Sequence, residues 1–157
     1  MAEDKPEISE FGSVDPAPAS ADADVRILGE TLCDEGGRMF ERMRALFALR
    51  NIGGVEAIDA LAGGFKSKSA LLKHEIAYVM GQMQDSHAVP HLIRRLSDTD
   101  EDLMVRHEAA EALGAIGDRS AMTTLESFRN DAEDVISESC EVAIDLLDWV
   151  QSKSIDY

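Results

Sequence analysis

One phrase of 15 residues is written twice in this chain, and the interval between the copies restricts the fold more than any other feature. Leu-Leu-Lys-His-Glu-Ile-Ala-Tyr-Val-Met-Gly-Gln-Met-Gln-Asp begins at Leu71, and Met-Val-Arg-His-Glu-Ala-Ala-Glu-Ala-Leu-Gly-Ala-Ile-Gly-Asp begins at Met104. His74 and His107 are 33 residues apart, as are Glu75 and Glu108, Gly81 and Gly114, and Asp85 and Asp118. A fixed period of this size belongs to stacked repeats, in which equivalent positions of successive units line up in space. The two His-Glu pairs therefore become neighbours.

Composition agrees with a helical stack. Of 157 residues 45% are hydrophobic but only 5% aromatic, and the Gly and Pro residues fall mostly between apolar runs, which favours helices over strands. A net charge of -16 argues against a nucleic-acid partner and for a basic protein or a cationic group, although a solvated acidic face with no partner fits the same number. Cys33 and Cys140 lack the spacing of a disulfide framework or a zinc ribbon, so reduced thiols in a cytoplasmic protein are expected. No apolar run approaches the length of a membrane span, and the N-terminus does not read as a secretory signal.

Along the chain, residues 1–21 are rich in Ala, Pro, Ser, Asp and Glu, which predicts a disordered leader. The repeat domain is expected over 22–151. A first helix carries Val25, Ile27, Leu28 and Leu32, a second runs from Arg38 to Ile52, and a third from Val55 to Ala62 ends at Gly63-Gly64. Ser69 is placed to cap a fourth helix reaching Gln84, and Ser86 to cap a fifth with Pro90 in its first turn. A sixth covers Leu103 to Ile116, and stretches from Asp118 to Arg129 and Ala132 to Gln151 supply the last pair. The expectation is an all-α, HEAT-like solenoid of four helical hairpins, with 152–157 as a tail or the start of a linker. In the flanking units Met43-Arg44 and Cys140-Glu141 stand where the central units have His-Glu, as terminal repeats that close a core often depart from consensus.

At 100° per residue, Val105, Ala109, Ala112, Leu113 and Ile116 gather opposite His107, and Leu72, Ile76, Val79, Met80 and Met83 opposite His74. Both histidines point away from the core, with Tyr78 and Gln82 near His74. Helices in such a stack lie about 8 to 10 Å apart, so both imidazoles can reach one ion, and a carboxylate from either helix completes a two-His, one-carboxylate set suited to non-haem iron(II). Chance repetition of a surface dipeptide is the competing reading. Gly81 and Gly114 leave room either for a ligand or for a closely packed helix. Glu111 is placed to hold the second nitrogen of His107 or to stand solvated. His87 and His91 form an i, i+4 pair without the surrounding text of a known metal motif.

The two phrases, with Arg44-Ala-Leu-Phe-Ala-Leu-Arg before them and Ser139-Cys-Glu and Leu147-Asp-Trp after them, resemble deoxyhypusine hydroxylase over about Asp24 to Gln151. The resemblance implies a HEAT-like repeat enzyme that hydroxylates the deoxyhypusine side chain of a translation initiation factor, using O2 as co-substrate and a di-iron centre held between two similar halves. Carried over by motif, the metal set is drawn from His74, Glu75, His107 and Glu108. His74, His107 and Glu108 are expected as Fe(2+) ligands, and Glu75 beside them is expected to orient the cationic amine of the substrate as the catalytic carboxylate.

Only one half of the family's pattern is present, which is expected to be the N-terminal half. A second half, or a homodimer partner, is needed to complete the centre; otherwise the half is inactive alone. A non-catalytic HEAT-repeat scaffold that binds a protein on its concave face is the alternative, and the related repeat proteins that attach bilin chromophores are a more distant one.

Overall fold

The computed structural model describes residues 4–155. Helices α1 (Val25–Cys33), α2 (Met39–Ile52), α3 (Gly54–Gly63), α4 (Ala70–Met83), α5 (Val89–Ser97), α6 (Leu103–Ile116), α7 (Met122–Ser127) and α8 (Asp134–Ile155) follow one another, with no strand among the described residues. They pair as four hairpins. Each inner helix packs on its outer partner, while α2, α4, α6 and α8 stack side by side. The expected α-solenoid is what forms.

Local sequence explains the boundaries. Asp24 caps α1, the Ser69 hydroxyl accepts from Leu72 N, and Asp102 accepts from Met104 N. Gly53 and Gly117 end α2 and α6 with φ of 70° and 80°, values that a side chain would disfavour. Ser86 is not the cap of the fifth helix. The Asp85 carboxylate accepts from His87 N at 2.9 Å and opens a 3-10 turn, Ser86–Ala88, before α5. Asp118 repeats this one period later, accepting from Ser120 N at 2.9 Å, so α7 starts later and is shorter than the expected stretch from Asp118 to Arg129. Helix α8 overruns its expected end at Gln151, since no Gly or Pro occurs in 134–155 to stop it. Most of the anticipated tail is thus helical; residues 156–157 lie outside the described residues.

The leader differs most from expectation. Over its described part it is without helix but seated on the inner helices: Ala17 is buried, Ser20 N donates to Arg44 O at 3.1 Å, and Arg44 Nε donates to Pro18 O at 3.1 Å. Asp15 takes both ends of the Arg50 guanidinium, at 2.9 and 2.6 Å. Counting apolar area misjudges such a segment, because what it supplies is the counter-charge for an arginine that is only 1% exposed. Residues 1–3 lie outside the described residues.

The core face matches the helical phase. Leu72, Ile76, Val79 and Met80 of α4 and Val105, Ala109, Ala112 and Leu113 of α6 are buried, with Met83 and Ile116 partly so. Met43 and Cys140, at the positions equivalent to the histidines, are buried too, and burial pushes the Cys140 thiol up to about 11. The flanking units thus spend this position on packing.

Gly81 and Gly114 also serve packing. A Cβ on Gly81 would lie 3.1 Å from Ala112 Cα, and one on Gly114 3.1 Å from Ala143 Cα. The obstacle is backbone, so the neighbouring helix would have to move. Gly81→Ala gains about 1 kcal/mol in helix propensity but overpacks at a cost of about 1 to 3 kcal/mol. The expected outcome in urea denaturation is a net loss of about 1 kcal/mol, with Gly81→Val losing about 3 kcal/mol; a stabilised Gly81→Ala chain would contradict this packing.

Candidate metal centre

The second and third hairpins place their His-Glu pairs on adjacent helices. His74 Nε2 lies 3.3 Å from Glu108 Oε1, across the gap between α4 and α6, while His74 Nδ1 is 3.8 Å from Glu75 Oε1 on its own helix. The close helix approach that permits the first contact depends on Gly81 against Ala112. His107, Glu108 and Glu111 form a second grouping, each offering a ligand atom within 4.8 Å of the others. Glu108 belongs to both, so it joins the two repeats.

His107 is oriented by Ser139, a residue that stood in the resemblance text without a role of its own. Ser139 on α8 is buried, and its Oγ donates to Val135 O in the preceding turn. With its proton so used, Ser139 Oγ accepts from His107 Nδ1–H at 2.6 Å. The proton on Nδ1 leaves a lone pair on Nε2, the nitrogen that faces Glu111 Oε1 at 3.8 Å. Glu111 is therefore beside Nε2, and Ser139 takes the holding role that sequence reading offered to Glu111. The period itself contained the signal, since Ser139 stands one 33-residue step after Arg106 on the next inner helix.

The electrostatics call for a cation. Burial raises the Glu108 carboxyl to about 7, with the negative charges of Glu111 and Glu75 adding to the effect and His107 opposing it. Glu75 is also raised, by burial first, with His74 opposing and Asp15 of the leader adding repulsion. His107 groups with Glu108 and Glu111, whereas His74 reaches this set through Glu108 and is not part of the 4.8 Å grouping; imidazole and carboxylate donors of this kind suit an intermediate-softness divalent ion, which would supply the missing positive charge. The donors fit iron(II).

This has a pH consequence for the chain without metal. Because the folded-state pKa of Glu108 lies above its ordinary value of 4.5, the folded chain keeps a proton that the unfolded chain releases between about 4.5 and 7. Stability therefore falls as pH rises through that window. Urea midpoints at pH 5 and pH 8 should differ more for the wild type than for Glu108→Gln; equal differences would show that Glu108 titrates normally.

A cleft of about 300 Å³ opens beside the pairs, walled by Tyr78, Gln82, Glu108 and Glu111. It lies between α4 and α6, floored by Gly81 and Ala112. Its acidic wall suits a cationic, extended guest.

Fold and site together define a stacked-helix repeat domain with a cluster of His and carboxylate side chains between its middle units. The HEAT-repeat family pattern matches residues 65–145, more than half of the chain, and the PBS lyase HEAT-like repeat matches 41–66; the chain belongs to the HEAT-repeat family. Among curated proteins it is 51% identical to deoxyhypusine hydroxylase of Rattus norvegicus over 145 residues, covering 92% of this chain and 48% of that protein. It is 47% identical to the Homo sapiens deoxyhypusine hydroxylase over 153 residues, covering 98% and 51%. The solved structure of human deoxyhypusine hydroxylase in complex with glycerol superposes with a TM-score of 0.88 at 49% identity, over 92% of this chain and 50% of that one. The chain spans about half the length of the curated relatives it matches.

Proposed function

We propose that this chain is one half of a deoxyhypusine hydroxylase, which hydroxylates the deoxyhypusine side chain of a translation initiation factor. The observation that carries the reading is the 3.3 Å approach of His74 Nε2 to Glu108 Oε1 across two repeats, beside His107 held by Ser139. The similarity to proteins named deoxyhypusine hydroxylase supports the choice of reaction.

In this reading His74, His107 and Glu108 would hold an iron(II), which would supply oxygen activation when bound. His107 offers Nε2 because Ser139 keeps the proton on Nδ1. Glu108 would bind as the ionised carboxylate, its proton passing to solvent. Glu75, partly buried next to His74, accepts a hydrogen bond from the substrate's ammonium and fixes which carbon of the side chain faces the centre. Tyr78 and Gln82 line the cleft along which the amine chain lies, and Glu111 adds negative charge at its wall. A second half, from a longer chain or from a partner copy, completes a di-iron centre and shields the cleft from bulk water.

The cytoplasm is the compartment we propose, because Cys33 and Cys140 are both free thiols, one exposed and one buried. No helix among the described residues is long and apolar enough to cross a membrane. The test is hydroxylation of a deoxyhypusine-bearing factor by this chain combined with the complementary half, under iron(II) and oxygen. Turnover that disappears with Glu75→Gln while iron stays bound supports the assignment; turnover indifferent to Glu75 removes it.

A further inference from the structure

A second cluster of ligating side chains lies on the outer layer. Asp59 comes from α3, His87 from the 3-10 turn before α5, and His91 from α5 itself. Both imidazoles converge on the same carboxylate oxygen: His87 Nε2 is 2.8 Å and His91 Nε2 3.2 Å from Asp59 Oδ1. All three ligand atoms lie within 4.8 Å of one another.

We propose that Asp59, His87 and His91 form a second metal site, for a divalent ion of the zinc class, which clamps the outer helix of one repeat to that of the next. Zinc bound at about 2.0 to 2.2 Å to nitrogen and oxygen in a tetrahedral shell holds its ligand atoms roughly 3.4 Å apart. The two histidine–aspartate sides, at 2.8 and 3.2 Å, need to open by only about 0.6 and 0.2 Å to reach that spacing. Two imidazoles and one carboxylate exclude calcium and magnesium as preferred guests, since those ions take all-oxygen shells. Remaining coordination positions face solvent, because Asp59, His87 and His91 side chains are 54%, 37% and 22% exposed.

Local structure holds the donors ready. Asp85 accepts from His87 N and fixes the turn, and Pro90 starts the helix that presents His91 one turn further on. The imidazole rings meet edge to face with centroids 6.0 Å apart, so neither blocks the other's Nε2.

One neighbour opposes the ion, and this gives the site a distinctive signature. Arg94 Nη2 donates to His91 Nδ1 at 2.6 Å, so in the metal-free chain the His91 proton sits on Nε2 and points at Asp59. Metal at Nε2 requires the other tautomer, with the proton on Nδ1, and Arg94 must then swing away. Arg94 is exposed, so its guanidinium can turn into solvent, but the exchange weakens binding. Removing the guanidinium therefore tightens the site, whereas removing a ligand weakens it.

The test is zinc(II) titration of the full 157-residue chain by calorimetry, with cobalt(II) absorption as a second readout, in wild type and in a His107→Ala background that disables the inner centre. One equivalent should bind in that background, His87→Gln and His91→Gln should each weaken it by about tenfold or more, and Arg94→Gln should tighten it several-fold. Binding indifferent to His87→Gln and His91→Gln, or no zinc uptake once the inner centre is disabled, overturns the proposal. Glu108→Gln serves as the alternative background if His107→Ala fails to fold. Neither result depends on the hydroxylase reading, whose test reads iron and turnover at the inner helices.

Discussion

Asp15→Ala lowers the stability of the chain by about 3 kcal/mol, although Asp15 lies in a polar, helix-free segment. Arg50 makes this so. Its guanidinium is buried, bonds both Asp15 oxygens, donates to Gln82 Oε1 at 2.9 Å, and lies over the Phe11 and Phe47 rings at 4.4 and 5.0 Å. Taking away the carboxylate leaves a buried charge with only neutral partners. The Asp15 side chain is itself 13% exposed, so some water can follow, which keeps the loss at the low end of the usual range. In a domain of this size the melting temperature falls by roughly 10 °C. Combining Asp15→Ala with Arg50→Met should recover much of the loss, because it removes the unpaired charge instead of stranding it. A single variant within about 0.5 kcal/mol of wild type, the level of ordinary surface substitutions, would mean that the leader is not seated on α2 in solution.

On the proposed ligand set, His107→Ala is expected to abolish iron binding at the inner helices, and Ser139→Ala, which removes no proposed ligand, to reduce iron affinity by about 10 to 100-fold. The two effects arise differently. His107 offers the nitrogen itself, whereas Ser139 fixes which nitrogen carries the proton. Without Ser139 the ring turns more freely and either nitrogen can hold the hydrogen, so part of the binding free energy is spent on orientation. Ser139→Thr keeps a hydroxyl and should restore affinity if its extra methyl is accommodated. Equilibrium iron(II) titration under anaerobic conditions separates these variants. Unchanged affinity for Ser139→Ala would make that hydroxyl a packing detail.

Much of this architecture can be read from the 33-residue period. Helical phase placed Leu72, Ile76, Val105 and Leu113 inside and His74 and His107 outside, and those residues lie where phase puts them, since a single apolar stripe per helix leaves one way to stack. Asp85 escaped notice as a cap because Ser86 beside it looked adequate, and at Asp118 the expected helix was begun on the residue that instead caps a 3-10 turn. The leader was misjudged for a deeper reason. Its role depends on Asp15 meeting Arg50, 35 residues away, and no local pattern encodes that pairing. Ser139 was similarly hidden: a serine within a helix reads as neutral until its hydroxyl is seen between Val135 O and His107 Nδ1. The face of the histidines was legible; the partners that orient them required the fold.

Whether the inner helices hold metal is decided by the iron content of the purified chain after anaerobic reconstitution with iron(II), alone and mixed with the complementary half. About one iron per chain is expected in the assembled species, lost in His74→Ala, His107→Ala and Glu108→Gln and retained in Glu75→Gln. A folded chain that takes up no iron even with its complement, or iron that stays bound when His74 and His107 are both removed, would contradict the proposed ligand set.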